Sequence, residues 1–201
     1  MRHLDTEASS LKTKNEDEKE LNLIDRHLIE ARIILCTGPV TDKMLKDVLS
    51  RLMVMETKAP NEPVTVFINS PGGSADSGFA IYDILRFASP PVRTVVNGLC
   101  ASAGILIHLA GEEGQRFCLP ESRFMIHQPS TAGEGTASDL DITAKEVVKL
   151  RKRYNQVIAA STGREAETVA EDSHRDFWLN AEEAKKYGLV DRVVASRADL
   201  D

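Results

Sequence analysis

From about Leu21 onward, apolar residues at helical spacing alternate with short unbroken apolar runs. Leu23, Ile24, Leu28 and Ala31 recur as one helix face does, and Ile33-Ile34-Leu35-Cys36 reads as a short strand ending at Gly38-Pro39. Thr41 or Asp42 can cap a helix that carries Met44, Leu45, Val48, Leu49, Leu52, Met53 and Met55. A strand from Val64 to Asn69 is broken by Ser70-Pro71-Gly72-Gly73, and a helix follows through Phe79, Ile81, Tyr82, Ile84, Leu85 and Phe87. The strand Val92 to Val96 then leads to Ser102, and a further strand covers Arg123 to Ile126. A long helix, Leu140 to Ala160, has an apolar stripe of Leu140, Val147, Leu150, Tyr154, Val157 and Ile158, and ends before Gly163. Strand and helix alternating at this spacing predict an α/β fold with a parallel sheet and crossover helices.

Composition narrows the class. Of 201 residues, 42% are hydrophobic and 28% charged, which suits a soluble domain with one sizeable core. Lys12 to Glu20 is a mixed-charge stretch with no aromatic or β-branched anchor apart from Thr13, so residues 1–20 are expected to be a mobile leader, either a propeptide or an axial loop. The folded domain is expected over 21–195, with 196–201 as a tail. No apolar run reaches the roughly 18 residues of a membrane span, and the start lacks the apolar segment of a secretory signal. Cys36, Cys100 and Cys118 stand singly in apolar surroundings, as buried thiols of a reducing compartment do, so a cytoplasmic location is expected. A net charge of -6 argues against a nucleic-acid partner, and the basic run Lys149 to Arg153 reads as a solvated helix face.

The candidate chemistry centres on Ser102, a lone hydroxyl where an apolar strand runs into an apolar helix. Free backbone N–H groups at a helix start stabilise an oxyanion, although a serine there is commonly an N-cap, the plainer reading of the residue taken alone. Gly72-Gly73 offers further N–H groups without side chains, with Pro71 stiffening the entry; a purely structural turn accounts for Pro-Gly-Gly as well. The Gly-Lys-Ser/Thr ending of a phosphate loop is absent. Among the histidines, His127 falls at a strand end, whereas His3 lies in the leader, His27 in a charged helix, His108 on the helix after Ser102 as a core residue, and His174 among surface charges. Asp176, followed by Phe177-Trp178, is expected to be partly shielded and suited to holding an imidazolium; Asp172 is its rival, and a cap or an ion pair with Arg175 is the plainer alternative. The order Ser, His, Asp differs from those of α/β-hydrolases, chymotrypsin and subtilisin, and Cys100 replaces the first glycine of a Gly-x-Ser-x-Gly elbow, which argues against an esterase of hydrolase fold.

Several further stretches carry a resemblance. Arg32-Ile33-Ile34, Phe67-Ile68-Asn69-Ser70-Pro71-Gly72-Gly73, Ile81-Tyr82-Asp83, Ala101-Ser102-Ala103-Gly104 and Arg116-Phe117-Cys118-Leu119-Pro120 come first. Met125-Ile126-His127-Gln128-Pro129, Arg175-Asp176-Phe177 and Ala184 to Asp191 follow in the same order. Over about Leu21 to Val194 the chain resembles the proteolytic subunit of the Clp protease, ClpP. The resemblance implies a triad of Ser102, His127 and Asp176, an oxyanion hole from the N–H groups of Gly73 and Ala103, and a ClpP/crotonase-like spiral of strand-strand-helix units. It implies a protruding handle over about 128–160, where two stacked heptameric rings interlock, and a pairing of Arg175 across the rings that couples assembly to the triad.

The implied activity is that of a serine endopeptidase subunit in a barrel-shaped compartmental protease. Such a barrel cleaves short peptides, and degrades unfolded proteins fed by an AAA+ unfoldase such as ClpX, ClpA or ClpC. ATP is used by that partner; no cofactor or metal is implied in this chain, and no nucleic acid or membrane. Thr65 with Phe67 stands where relatives often carry paired aromatics that help receive the unfoldase, and Leu99-Cys100 and Ala103 depart from the usual residues beside the serine. The alternative is a paralogous subunit acting mainly in mixed rings and poorly active alone. A crotonase-type acyl-CoA enzyme would more usually employ carboxylates than a serine and a histidine at strand ends.

Overall fold

Ten consecutive residues, Val92–Ala101, form the strand on which the rest of the sheet is organised. The structure, a computed structural model, describes residues 23–131 and 134–200; the expected leader lies outside the described residues, as do Ala132 and Gly133 of the expected handle loop. The first helix, α1, is described over residues 23–30. Then come β1 (Ile33–Thr37), α2 (Asp42–Lys58), β2 (Val64–Ser70), α3 (Ala75–Phe87), β3 (Val92–Ala101), α4 (Ala103–Leu109) and β4 (Arg116–Cys118). The chain continues as β5 (Arg123–Ile126), α5 (Ala137–Thr162), α6 (Ala166–Asp172), β6 (Phe177–Asn180), α7 (Ala181–Tyr187), β7 (Arg192–Val193) and a 3₁₀ turn at Arg197–Leu200. The α/β class is as expected.

The sheet runs β1-β2-β3-β4-β7, with β5 pairing β3 and β6 pairing β5. All pairings are parallel except β5 with β6, an antiparallel ladder that the sequence pattern did not predict. β3 serves two neighbours in succession on one edge: Thr94 to Val96 pair with β4, and Leu99 to Ala101 pair with β5. Between these halves the β2–β3 register shifts at Ile68/Ser70. Asn69 fills the irregularity, its Oδ1 accepting the Leu99 N–H at 3.0 Å. A Cβ on Gly98 would lie 2.8 Å from that oxygen, so only glycine leaves room for the Asn69 side chain. The strand therefore continues past Val96, the expected end, and delivers Ser102 beyond the core.

Helix α2 starts at Thr41, whose side chain accepts from the Met44 N–H, and buries Met44, Val48, Leu52 and Met55 on one face. Every residue of α4 is buried, as for a helix enclosed on all sides. On it, His108 Nε2 lies 3.1 Å from the Leu189 carbonyl oxygen, and its ring packs against Phe124. Burial, reinforced by the Arg116 guanidinium, pushes the His108 pKa down to about 3, so the ring is neutral and donates from Nε2. It is a core residue, as expected. Arg116 forks onto Asp191, with Nη2–Oδ1 at 2.7 Å and Nε–Oδ2 at 3.2 Å, tying β4 to the segment before β7. The three cysteines are buried and unpaired, and burial pushes the Cys36 thiol up to about 12. No described helix is long and apolar enough to cross a membrane.

The long helix packs against the body of the chain over part of its length. Of its stripe only Tyr154 and Ile158 are buried, along with Asn155, while Leu140 is exposed, as are Ile142 and Val148. Its first half therefore projects from the body of this single chain, and its second half closes over α4. The basic run is also more than a solvated face: Arg153 stacks over the Phe79 ring at 4.2 Å and Arg151 donates to Gln128 Oε1 at 3.2 Å.

Candidate active site

β3 and β5 end side by side, which sets the first two groups of the site. Ala101 is registered with Met125, and the Ser102 N–H extends the ladder by donating to the Met125 carbonyl at 2.9 Å. His127 follows two residues later. The antiparallel pairing of Ile126 with Phe177 then brings the next residue on each strand, His127 and Asp176, opposite one another. The distances follow from that register: Ser102 Oγ lies 2.9 Å from His127 Nε2, and His127 Nδ1 lies 3.2 Å from Asp176 Oδ1.

Ser102 occupies the N-cap position of α4 but makes no side-chain cap hydrogen bond. Its backbone sits at φ 54, ψ -123, a conformation that costs a non-glycine residue about 1–3 kcal/mol. Its hydroxyl faces the imidazole, so the capping alternative is not realised. Asp172 is engaged elsewhere, its Oδ2 accepting from the Tyr187 hydroxyl at 2.8 Å. Arg175 is exposed and makes no ion pair among the described residues, so the Arg175–Asp176 pair is not formed.

One expectation fails. The Asp176 side chain is 63% exposed, against 28% for His127. The aromatics that follow it face other neighbours: Phe177 packs against Tyr187 at 5.6 Å and Trp178 lies under the Arg123 guanidinium at 4.5 Å. Neither covers the carboxylate in the isolated chain.

The Pro71–Gly73 turn lies directly against the serine. At Gly72 (φ 92) an added Cβ would be 2.5 Å from Ser102 Cβ and 2.8 Å from the Ala101 carbonyl oxygen. The turn is pinned by three bonds: the Gly72 N–H donates to Ser70 Oγ, the Gly72 carbonyl accepts from the Val40 N–H, and the Ser74 N–H donates to the Val40 carbonyl. Those bonds use the amides on either side of Gly73 and leave its own N–H without a partner among the described residues; the same holds for the Ala103 N–H. A cleft of about 500 Å³ opens here, and its lining includes Ser102, His127 and Gly73 together with the apolar Phe79, Leu106 and Leu150. A larger cavity of about 860 Å³, beside Arg116 and Ser161, contains none of the triad residues.

A hydroxyl on an imidazole, a carboxylate behind the imidazole and two unengaged N–H groups nearby form an arrangement suited to acyl transfer. Sequence reasoning missed one contact: the Tyr154 hydroxyl donates to the Ser102 carbonyl at 3.1 Å. Tyr154 stood in an apolar stripe, where nothing marks a hydrogen bond. Among the described residues, no group of three or more His, Cys, Asp or Glu side chains could hold a metal ion.

Known proteins resemble this chain along most of its length. ATP-dependent Clp protease proteolytic subunit 3 of Rhizobium etli is 41% identical over 190 residues, which cover 93% of this chain and 97% of the relative. The protein of the same name from Rhizobium meliloti is 40% identical over 191 residues, covering 92% and 97%. Among solved structures, a point mutant of ClpP1 from Listeria monocytogenes superposes with a TM-score of 0.83 at 40% identity, covering 89% of this chain and 99% of the other. The Clp protease family profile matches residues 15–197, and with relatives of this identity along nearly its whole length, the chain belongs to the Clp protease family.

Proposed function

We propose that this member of a peptidase family is a serine endopeptidase subunit in which Ser102 is the nucleophile, His127 the general base and acid, and Asp176 the group that orients His127. The observation that carries the reading is the continuous run of hydrogen bonds, 2.9 Å from Ser102 Oγ to His127 Nε2 and 3.2 Å from His127 Nδ1 to Asp176 Oδ1. His127 takes the hydroxyl proton as Ser102 Oγ attacks a peptide carbonyl carbon. The N–H groups of Gly73 and Ala103 receive the resulting oxyanion, and the turn geometry supports this because both are unengaged beside Ser102. His127 then gives its proton to the leaving amine, and water, deprotonated by the same imidazole, releases the acyl group from Ser102. Every step uses side chains and amides of this chain, so the reading needs no metal or cofactor.

The first half of α5, which projects from the body of the chain with Leu140, Ile142 and Val148 exposed, supports assembly of the chain into two stacked rings through the handle. Rings closing around the sites would admit peptides and threaded chains only; folded proteins would then require an ATP-using AAA+ unfoldase such as ClpX, ClpA or ClpC. The setting is cytoplasmic in this reading, with residues 1–20 serving as a propeptide or an axial loop. Arg175, exposed beside Asp176, would couple the ring contact to the triad.

A second reading is a paralogous subunit that works in mixed rings; the 63% exposure of Asp176 leaves room for cover by a neighbouring subunit of either kind. The relatives' designation as subunit 3 accords with it. Hydrolysis of short fluorogenic peptides by the purified chain and by Ser102→Ala, with particle mass from sedimentation, separates the two. Turnover by a ring-sized particle that disappears in the variant supports a self-sufficient peptidase. Rings without turnover, activated by adding a paralogue, support the second reading, and turnover that survives Ser102→Ala overturns both.

A further inference from the structure

We propose that Tyr154 is a positioning residue for this chemistry, holding the Ser102–Ala103 peptide so that its N–H is aimed at the oxyanion. The role rests on the serine-peptidase reading above. Tyr154 lies on the buried second half of α5, is 4% exposed, and forms part of the cleft wall. Its hydroxyl donates to the Ser102 carbonyl at 3.1 Å, and the same oxygen accepts the Ile105 N–H at 3.0 Å. Both lone pairs of that oxygen are engaged, one from α5 and one from α4.

The consequence comes from peptide geometry. A trans peptide is planar, with its C=O and N–H pointing in opposite directions, so whatever fixes the oxygen of residue 102 also fixes the direction of the Ala103 N–H. That N–H is one of the two unengaged donors beside Ser102. The peptide needs fixing because Ser102, at φ 54 and ψ -123, occupies a sparsely populated backbone region in which surrounding bonds must over-determine the conformation. On the other side of the residue, the Ser102 N–H is held by the Met125 carbonyl at 2.9 Å. Tyr154 completes the restraint from the carbonyl side. Burial raises its hydroxyl well above the usual phenol range, so it remains a donor at any working pH.

A group that aims an oxyanion donor acts where charge develops, in the transition state, and leaves ground-state binding alone. Tyr154→Phe removes one oxygen, keeps the ring in the cleft wall and leaves the Ser102 carbonyl its bond from Ile105. The variant should therefore fold and assemble as the parent does. The experiment compares parent and variant in the full assembled chain, using peptide kinetics and inhibition by a peptidyl boronate, which forms a tetrahedral adduct on a catalytic serine. Expected for Tyr154→Phe are a kcat about tenfold lower, an unchanged KM and a boronate inhibition constant about tenfold higher, the scale of one hydrogen bond. Unchanged kcat with an active parent overturns the role of Tyr154 alone, and so does a lower kcat with unchanged boronate affinity. Measurable turnover that survives undiminished in Ser102→Ala would overturn the peptidase reading, and this role with it.

Discussion

His127→Ala should lower kcat for peptide hydrolysis by about 10⁵-fold while leaving the fold in place. Without the imidazole nothing accepts the Ser102 proton as the bond to carbon forms, and nothing protonates the leaving amine; loss of either the nucleophile or its base in such a site costs on the order of 10⁶ in kcat. The fold should be spared for a local reason. His127 lies just past the end of β5, is 28% exposed, and its side chain bonds only to Ser102 and Asp176 among the described residues. Saturation kinetics with a fluorogenic peptide, with thermal unfolding as the control on the fold, check both halves. A loss of less than about tenfold would remove His127 from the chemistry.

Gly72→Ala should also lower kcat, less severely and by a different route. At φ 92 the new Cβ would lie 2.5 Å from Ser102 Cβ, 2.8 Å from the Ala101 carbonyl oxygen and 3.1 Å from the Ala103 amide nitrogen. Two of these three atoms belong to the backbone of β3 and α4, so the turn must move instead. Moving it separates the Gly73 N–H from the Ala103 N–H, and loss of one oxyanion donor costs about 10²- to 10³-fold in kcat. The same variant should unfold at lower temperature, because the turn is held to Val40 by the Val40 and Ser74 amides. Kinetics near the parent value would show that the turn takes no part in binding the oxyanion.

Much of the framework was legible because it depends on local pattern. The Thr41 cap and apolar face of α2, the runs that became β1 and β2, and the placing of Ser102 and His127 beyond strand ends all follow from spacing and capping chemistry. The strand expected over Val92 to Val96 runs on to Ala101 because Asn69 on the neighbouring strand bonds the Leu99 N–H across the irregularity, a partner that only the fold supplies. β6 was missed as a strand because its four residues are a short edge whose pairing partner, β5, lies more than fifty positions away. The exposure of Asp176 was misjudged because adjacency in sequence says nothing about which way Phe177 and Trp178 face. Tyr154 looked like a core residue and is one; its hydroxyl gains its partner only when α5 closes over α4.

The central claim is that Ser102 attacks a carbonyl with His127 as its base, and covalent capture tests it most directly. The assembled chain would be treated with a fluorophosphonate, which phosphonylates an activated serine, and the adduct mapped by peptide mass spectrometry alongside residual peptidase activity. The account predicts one adduct per chain, on Ser102, with activity lost in proportion and no labelling in His127→Ala. Full loss of activity with the label on another residue, or an active chain in which Ser102 is never labelled, would contradict it.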